Sequence, residues 1–359
     1  MIDVSAGTSK AFIAQRLSSF RGIRFAVGAV LGIVLLSVFL LEVGGYDASL
    51  ALAALWSGSL GSSYALTSAT LVRAIPLILT GLAVALAFRT GVFNIGAEGQ
   101  LLAGAAVSAV IGVKLSALLG VLALPVELAA GAMAGAFWAG IAAWLRSRFR
   151  VLEVITTIML NFVALHAVGY LVRGPLQEPL RIYPQSDMLP ELAQMPRLIP
   201  GTRLHWGLVA AATAAVLIWW VLRYTAVGFR LRATGANPHA ARSAGLIDVS
   251  RVTAGAFLVS GALAGLAGAV ELTGVTFALY ENISPGYGYT AIAVALLARL
   301  DPLAVVGTGF FFGALEAGAS AMQRDAGVPA AFVSVIEAGI VLAVIAVDRL
   351  QAERPASAT

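Results

Sequence analysis

Charged residues are scarce in this sequence, and cysteine is absent. Only 11% of the 359 residues are Asp, Glu, Lys or Arg, and none is cysteine. Without cysteine the chain has no disulfides, thiolate zinc sites, iron–sulfur clusters or cysteine nucleophiles. A soluble domain carries about 25% charged residues, so a chain this poor in charge cannot cover a water-facing surface. Most of its exterior is therefore expected to face lipid.

Long apolar segments fill most of the chain, which is 60% hydrophobic with a mean hydropathy of +0.92. A helix needs about 20 apolar residues to cross the hydrocarbon core of a bilayer. The segments predict an all-α, polytopic transmembrane helical bundle of about ten membrane segments, of which the one at Tyr289–Leu300 is too short to cross alone. The ten are Phe25–Val43, Leu71–Phe88, Ala97–Val113, Leu118–Leu145, Val154–Val172, Trp206–Leu222, Val252–Leu272, Tyr289–Leu300, Leu303–Ala321 and Ala331–Val347.

The distribution of Lys and Arg predicts the orientation. If the N-terminus is cytoplasmic and ten segments alternate, sixteen of the 23 basic residues fall on the cytoplasmic side, as the positive-inside rule requires. This places residues 1–24 and the tail 350–359 in the cytoplasm, with a transmembrane domain at 25–349 between them. The same rule accounts for the net charge of +5, so no nucleic-acid partner is expected.

Two connecting loops are long. The loop at 173–205 is predicted to be external and is rich in proline, and a structured cap is favoured over an irregular connection. The loop at 225–251 is predicted to be cytoplasmic. In it, Asn237 followed by Pro238 is typical of a helix start, and Gly245 can end that helix because it accepts a positive φ. The expected short helix is either a docking element or part of an ordinary connector.

Two glycine-rich interruptions, Phe93–Glu98 and Ser284–Tyr289, each precede an Ala- and Leu-rich helix. Their positions in two oppositely running halves, Leu71–Val172 and Val252–Val347, predict an inverted repeat with broken helices. Broken helices survive in a bilayer where protein or cavity water satisfies the free backbone groups, and transporters use such places for their substrates. The candidate residues of a substrate pathway are Phe93, Asn94, Glu98, Asn161, Ser284, Tyr287 and Tyr289.

Several of these residues have a second interpretation. Asn94 and Glu98 either line the route or only cap the helix that follows them. Asn161 fits an interhelical hydrogen bond as well as a pathway position. The tyrosines suit stacking on a ring of the substrate, but an interfacial aromatic belt explains them equally well. Gly131 with Gly135, and Gly261 with Gly265, are expected to be close-packing pairs.

Motifs for catalysis are missing. The sequence contains no phosphate-binding P-loop, no HExxH zinc motif and no plausible Ser–His–Asp set. We therefore expect no catalytic residues, no metal site and no cofactor, and the chain is not expected to be an enzyme.

Four blocks of sequence resemble the permeases of the branched-chain amino acid, ribose and simple-sugar ABC importer superfamily. They read TGVFNIGAEGQLLAGA, LEVITTIMLNFVA, RLRATGANPHAARSAGLIDVSR and GYGYTAIAVALLARLDPLAVV, and the second and fourth resemble its nucleoside-type branch. One departure is LLARLDP, where such permeases more often have glycine and a neutral polar residue.

The resemblance implies the permease subunit of a bacterial ABC importer, multi-pass in the inner (plasma) membrane, that translocates a nucleoside or simple sugar. The implied partners are an ABC ATPase subunit that binds the ATP, a second permease subunit in a heterodimer, and an external solute-binding lipoprotein. The resemblance also makes the helix in the cytoplasmic loop the element that docks on the ATPase, through Asn237, Pro238, Ala241, Arg242 and Gly245.

An alternative function is a proton-coupled secondary transporter of a small polar solute. Its proton carriers would be Glu98, Glu316 or Glu337, because a carboxyl group inside a bilayer is costly and is rarely present without a purpose.

Overall fold

The structure is a computed structural model that describes residue 32, residues 35–245, residues 247–329, and residues 331, 332, 334, 335, 338, 339 and 342. All regular structure in these residues is helical, apart from isolated bridges between single residues. The helices are α1 (35–43), α2 (Ala48–Ser59), α3 (Ser63–Ala65), α4 (Leu71–Arg89), α5 (Ala97–Leu119), α6 (Ala123–Phe149), α7 (Glu153–Arg173), α8 (Gly207–Tyr224), α9 (Ala226–Ala236), α10 (Pro238–Ser243), α11 (Val249–Glu271), α12 (Tyr287–Leu297) and α13 (Pro302–Asp325).

Six helical runs in the described part of the chain are long and apolar enough to cross a membrane. One run, Ala97–Phe149, has 53 residues and contains both α5 and α6, which are joined by a short 3-10 turn at Gly120–Leu122. Gly120 has a φ of +55°, a conformation that reverses the chain and that glycine adopts without strain. The predicted bundle of membrane helices is confirmed, whereas the predicted segments Phe25–Val43 and Ala331–Val347 lie partly outside the described residues.

Helix α4 lies in the interior of the bundle. Its side chains from Ala74 to Ala87 are buried without interruption, because the sequence is apolar on every face and can be surrounded by other helices. The helix contains Pro76, and the Thr80 hydroxyl donates a hydrogen bond of 2.6 Å to the Pro76 carbonyl oxygen. Helices α8, α11 and α12 pack around α4.

Glycines let α5, α6 and α11 approach each other closely. A Cβ atom added at Gly265 would lie 2.3 Å from the Gly131 carbonyl oxygen, and one at Gly104 would lie 2.2 Å from the Gly265 carbonyl oxygen. A Cβ atom at Gly135 would come equally close to the Gly261 carbonyl oxygen. The expectation that these glycines are close-packing pairs is therefore confirmed, and their contacts run across three helices.

Helices α4 and α11 run in opposite directions. The Ser260 hydroxyl donates a hydrogen bond of 2.7 Å to the Ala83 carbonyl oxygen, and Leu86 further along α4 packs with Ala256 near the start of α11. Each of the two helices is followed by an irregular segment and then by α5 or α12. The antiparallel pair agrees with the predicted inverted arrangement of two broken helices.

The loop at 173–205 is structured. Its backbone N–H groups at Ser186, Leu189 and Met195 donate to the carbonyl oxygens of Leu279, Phe277 and Thr273 at 2.7, 2.8 and 2.8 Å, respectively. The loop therefore lies on the segment that follows α11, as a cap would.

His205, at the end of this loop, is a buried residue. The residue has no exposed surface, and its Nδ1 atom accepts the Gly207 N–H at 3.2 Å. Burial, together with the neighbouring Arg197 and Arg203, lowers the pKa of His205 to about 4. The ring is therefore neutral at pH 7, and the loop carries no buried charge at this point.

A second compact unit contains the described residues up to Trp56 and those from Gly318 onward. Its core consists of Leu41, Ala48, Ala51, Ala54, Met322 and Val328. At 12 residues, α2 spans about 18 Å, which is too short to cross a bilayer.

We predict that Gly265→Ala destabilises the bundle. The added methyl group meets backbone atoms that no side-chain rotation can move, and such overpacking costs about 1–3 kcal/mol. The fraction of monodisperse protein that remains after heating in detergent should fall at a lower temperature than for the unaltered protein. Gly307→Ala in α13 is the matched control, because a Cβ atom there meets nothing within 4 Å. Equal midpoints for the two variants would contradict the prediction.

Candidate functional site

The first helix break contains a fully buried asparagine. The Asn94 side-chain amide donates to Ser260 Oγ at 2.8 Å and to Gln100 Oε1 at 3.0 Å. Its carbonyl oxygen accepts the Gly96 N–H at 2.9 Å and the Gln100 amide at 3.0 Å. Because Ser260 in turn bonds to α4, Asn94 joins the break to both α4 and α11.

Asn161 on α7 caps α5 from another helix. Its side-chain oxygen accepts the N–H of Gly99, the third residue of α5, at 2.8 Å, and its amide donates to the Ile95 carbonyl oxygen at 3.0 Å. The residue that precedes α5 is Gly96, which offers no side-chain cap. The interpretation of Asn94 as the cap of α5 was therefore wrong, because its oxygen is already bonded before the helix begins. The interhelical role expected for Asn161 is confirmed.

Glu98 at the start of α5 caps the second broken helix. Its carboxylate accepts the N–H of Gly288, the second residue of α12, at 2.7 Å, and it also hydrogen-bonds to the Ser284 side chain. The Ser284 hydroxyl accepts the N–H groups of Gly286 and Tyr287 at 3.1 Å. Because of this turn, α12 begins at Tyr287, two residues before the predicted start.

The two breaks meet. A Cβ atom at Gly288 would lie 2.1 Å from the Glu98 backbone nitrogen, so the first turns of α5 and α12 touch through their main chains. The N-terminal ends of both helices therefore converge on the Glu98 carboxylate. A helix N-terminus carries a partial positive charge, and two of them together favour an anionic or strongly hydrogen-bonding group between them.

The predicted pathway residues differ in exposure. Asn94, Glu98, Asn161 and Tyr287 are all buried, and Ser284 is half-buried. Phe93 is 52% exposed and Tyr289 is 45% exposed. The Tyr289 hydroxyl lies 3.4 Å from the Asn161 amide, and the Phe93 ring packs edge-on against Phe88. The buried members hold the junction together, and two aromatic rings are accessible beside it.

The short helix predicted in the loop at 225–251 is present as α10. The Asn237 side chain accepts the N–H groups of His239 and Ala240, both at 3.0 Å, and Pro238 is the first helical residue. Gly245 follows the helix with a φ of +70°. The local signals in the sequence therefore describe this helix correctly at both ends.

Ala241 does not face outward from α10. Its side chain is buried in an apolar cluster with Ile247 and Val249, so it supports the helix from inside, and its part in coupling to the ATPase stays a prediction. The outer face of the helix presents His239 and Arg242, which are exposed. Ala241 instead holds α10 against the start of α11.

Sequence reasoning missed Ser260, Gln100 and Gly288, which complete the junction. Ser260 is the hydroxyl in an otherwise apolar stretch, FLVSGALAG, and a polar residue inside a span is a signal for an interhelical hydrogen bond. Gln100 is likewise a polar residue at the start of an apolar stretch, directly after the first break. Nothing in the local sequence pairs Gly288 with Glu98.

Comparison with known proteins is consistent with this geometry. Residues 66–345 match the family described as branched-chain amino acid transport system / permease component. The chain is 41% identical over 323 residues to the glucose ABC transporter permease protein TsgB13 of Haloferax volcanii, with 84% of each chain covered. It is 37% identical over 321 residues to the guanosine ABC transporter permease protein NupP of Bacillus subtilis, with 88% of this chain and 90% of that one covered.

A further relative is the guanosine ABC transporter permease protein NupQ of Bacillus subtilis, which is 31% identical over 253 residues, or 68% of this chain and 78% of that one. No solved structure matches this chain significantly. Since the family match covers most of the chain and includes both helix breaks and α10, the chain belongs to the branched-chain amino acid transport system / permease component family and is an ABC transporter permease.

Proposed function

We propose that this permease carries a nucleoside or a simple sugar into a bacterial cell through the plasma membrane, and that the junction of α5 and α12 lies on the route. The main support for this proposal is that the first turns of the two helices contact each other at Glu98 and Gly288. Two proteins that are similar in sequence are named for glucose and guanosine. Both compounds are neutral and carry several hydroxyl groups, which suits a site built from hydrogen-bonding backbone rather than from a charged clamp.

The accessible rings beside the junction support this class of substrate. Phe93 and Tyr289 are the two pathway candidates with large exposure. An aromatic face can stack on a nucleobase or on the apolar face of a sugar ring. In this proposal, Phe93 and Tyr289 contact the substrate, whereas Asn94, Asn161 and Glu98 fix the backbone on which those rings are mounted.

The proposed complex contains further subunits. The sequence has no P-loop, so ATP hydrolysis is assigned to a separate ABC ATPase. Two guanosine permeases of Bacillus subtilis, NupP and NupQ, both resemble this chain, which supports a heterodimer with a second permease. An external solute-binding lipoprotein would deliver the substrate.

We assign the contact with the ATPase to α10. Its cap fixes the helix, and Ala241 anchors it to Ile247 and Val249 beside α11. In the same loop, a Cβ atom at Gly235 would lie 2.0 Å from the Arg89 carbonyl oxygen, at the end of α4 and directly before the first break. Movement of the loop at 225–251 would therefore displace the two helices that the Asn94 network connects.

The alternative of proton-coupled transport has less support. Glu98 accepts a backbone N–H of α12 and bonds to Ser284, so its contacts are those of a helix cap. Glu337 lies outside the described residues. The relatives with known names are ABC permeases, which favours coupling to ATP.

We predict that Tyr289→Leu lowers uptake about two- to tenfold, because an aromatic contact contributes about 0.5–1.5 kcal/mol beyond the area it buries. Uptake of labelled guanosine and glucose is measured in cells that contain equal amounts of assembled complex. Tyr170→Leu, at an exposed position in the last turn of α7, is the control and should transport normally. Unchanged uptake in Tyr289→Leu would remove this residue from the route.

Asn94→Ala should instead reduce the amount of folded protein, since it leaves buried groups without partners.

We predict that Arg242→Glu uncouples transport from ATP hydrolysis while the protein remains folded, since this exposed charge lies on the outer face of α10. The ATPase activity of the purified complex and its dependence on substrate are measured together with uptake. Ala241→Asp is the comparison, because a carboxylate in the buried cluster should destabilise the loop itself. Normal coupling in Arg242→Glu would argue against docking through this face.

We predict that the loop at 173–205 is external. The chain contains no cysteine, so a single introduced cysteine is labelled without background. Leu180 is 78% exposed and is therefore a good position for this cysteine. Gln185 in the same loop is a poorer position, because it is half-buried and its side-chain amide donates a hydrogen bond to Glu178. Leu180→Cys should react with a membrane-impermeant maleimide in intact cells, and His239→Cys in α10 should react only after the cells are opened. The reverse pattern would invert the topology.

A further inference from the structure

A cleft of about 450 Å³ opens beside the loop at 225–251, apart from the junction of the two breaks. Helices α4, α8, α9 and α11 form its walls. Most of the lining side chains are aliphatic, among them Leu86, Ile218 and Val259, and its two charged residues are the arginines Arg230 and Arg251. The cleft therefore combines an apolar interior with a cationic edge.

One of the two charged residues lies at an end of the α11 wall of the cleft. Arg251 is in the first turn of α11 and Val259 lies eight residues further along the same helix, which corresponds to about 12 Å at the helical rise. One leaflet of hydrocarbon is about 15 Å deep. The apolar wall thus continues from Arg251 over most of the depth of one leaflet.

Both guanidinium groups are accessible. Arg230 is exposed, and the Arg251 side chain is 89% exposed. Arg251 Nε pairs with Asp248 Oδ2 at 3.0 Å, and Asp248 is not among the residues that line the cleft. No acidic residue is among the lining residues.

We propose that this cleft binds an anionic phospholipid, with its phosphate at Arg230 and Arg251 and one acyl chain along the apolar walls. A free anion would bind to the arginines but would leave the apolar walls without a contact. A zwitterionic lipid would be attracted less strongly by two cationic groups than an anionic lipid. Basic pockets between membrane helices at the cytoplasmic surface have this combination of features. The arginines also lie in the part of the chain that the positive-inside rule places in the cytoplasm.

A second cleft provides an internal comparison. It measures about 510 Å³ and lies between α5, α6 and α7, but its lining residues are apolar throughout. A cleft of this kind can accept acyl chains of any lipid. Selectivity for an anionic headgroup is therefore expected from the Arg230–Arg251 cleft.

The test is native mass spectrometry of the full chain in detergent, titrated with phosphatidylglycerol or phosphatidylcholine. Phosphatidylglycerol should bind more tightly, and Arg230→Gln and Arg251→Gln should each weaken it about fivefold. Arg148→Gln, at the end of α6, is the charge-matched control. Gly255→Leu probes the acyl chain: Gly255 lines the cleft, and a Cβ atom there meets nothing within 4 Å, so a larger side chain at this position would take up space needed by the acyl chain.

Weaker phosphatidylglycerol binding in both arginine variants and in Gly255→Leu, with binding to Arg148→Gln unchanged, would establish the site. Equal binding of the two lipids to the unaltered chain would overturn it. A different result would also overturn the proposal: phosphatidylglycerol binding that is weakened by the arginine variants but not by Gly255→Leu, and that glycerol phosphate displaces as well as phosphatidylglycerol itself does. That result would identify a site for soluble anions. If Gly255→Leu fails to fold, the arginine variants and the competition with glycerol phosphate decide the outcome.

Discussion

The structure depends on how two interrupted helices satisfy their backbone groups where water is scarce. An unpaired N–H group in hydrocarbon costs several kcal/mol, and α5 and α12 both begin inside the bundle. Each start receives its cap from elsewhere in the chain: Asn161 accepts from Gly99, and Glu98 accepts from Gly288. Because Glu98 itself belongs to α5, this cap of the second helix is available only when the first helix is in place, whereas the Ser284 hydroxyl caps the Tyr287 N–H locally.

Close approach makes these caps possible. The main chains of α5 and α12 touch at Glu98 and Gly288, where any side chain on residue 288 would overlap with the backbone. The glycines at 104, 131, 135, 261 and 265 bring α5, α6 and α11 together in the same way. In a bilayer such contacts contribute dispersion energy that lipid tails cannot replace. Ser260 on α11 then reaches both Ala83 and Asn94, so the packing of the helices and the polar network depend on each other.

The features that were predictable from sequence are those set by local physics. Asn237, Pro238 and Gly245 specify α10 within nine residues of chain, and the apolar segments specify the spans. The features that were not predictable depend on distant contacts. Asn94 has the residue type of a cap but its oxygen is used by Gly96 and Gln100, while the cap of α5 comes from a residue 62 positions from Gly99. Ala241 resembles a neutral surface position until the fold brings Ile247 and Val249 over it.

The cluster around Ala241 gives the loop at 225–251 a mechanical property. Val249 belongs both to that cluster and to the first turn of α11, and Ser260 lies eleven residues later on the same unbroken helix, about 17 Å away. A rigid rod of this length joins a small surface helix to the hydroxyl that binds Asn94. Any tilt of α11 that starts at the surface helix therefore also moves Ser260, and with it the hydrogen bonds that Ser260 makes to Ala83 and Asn94.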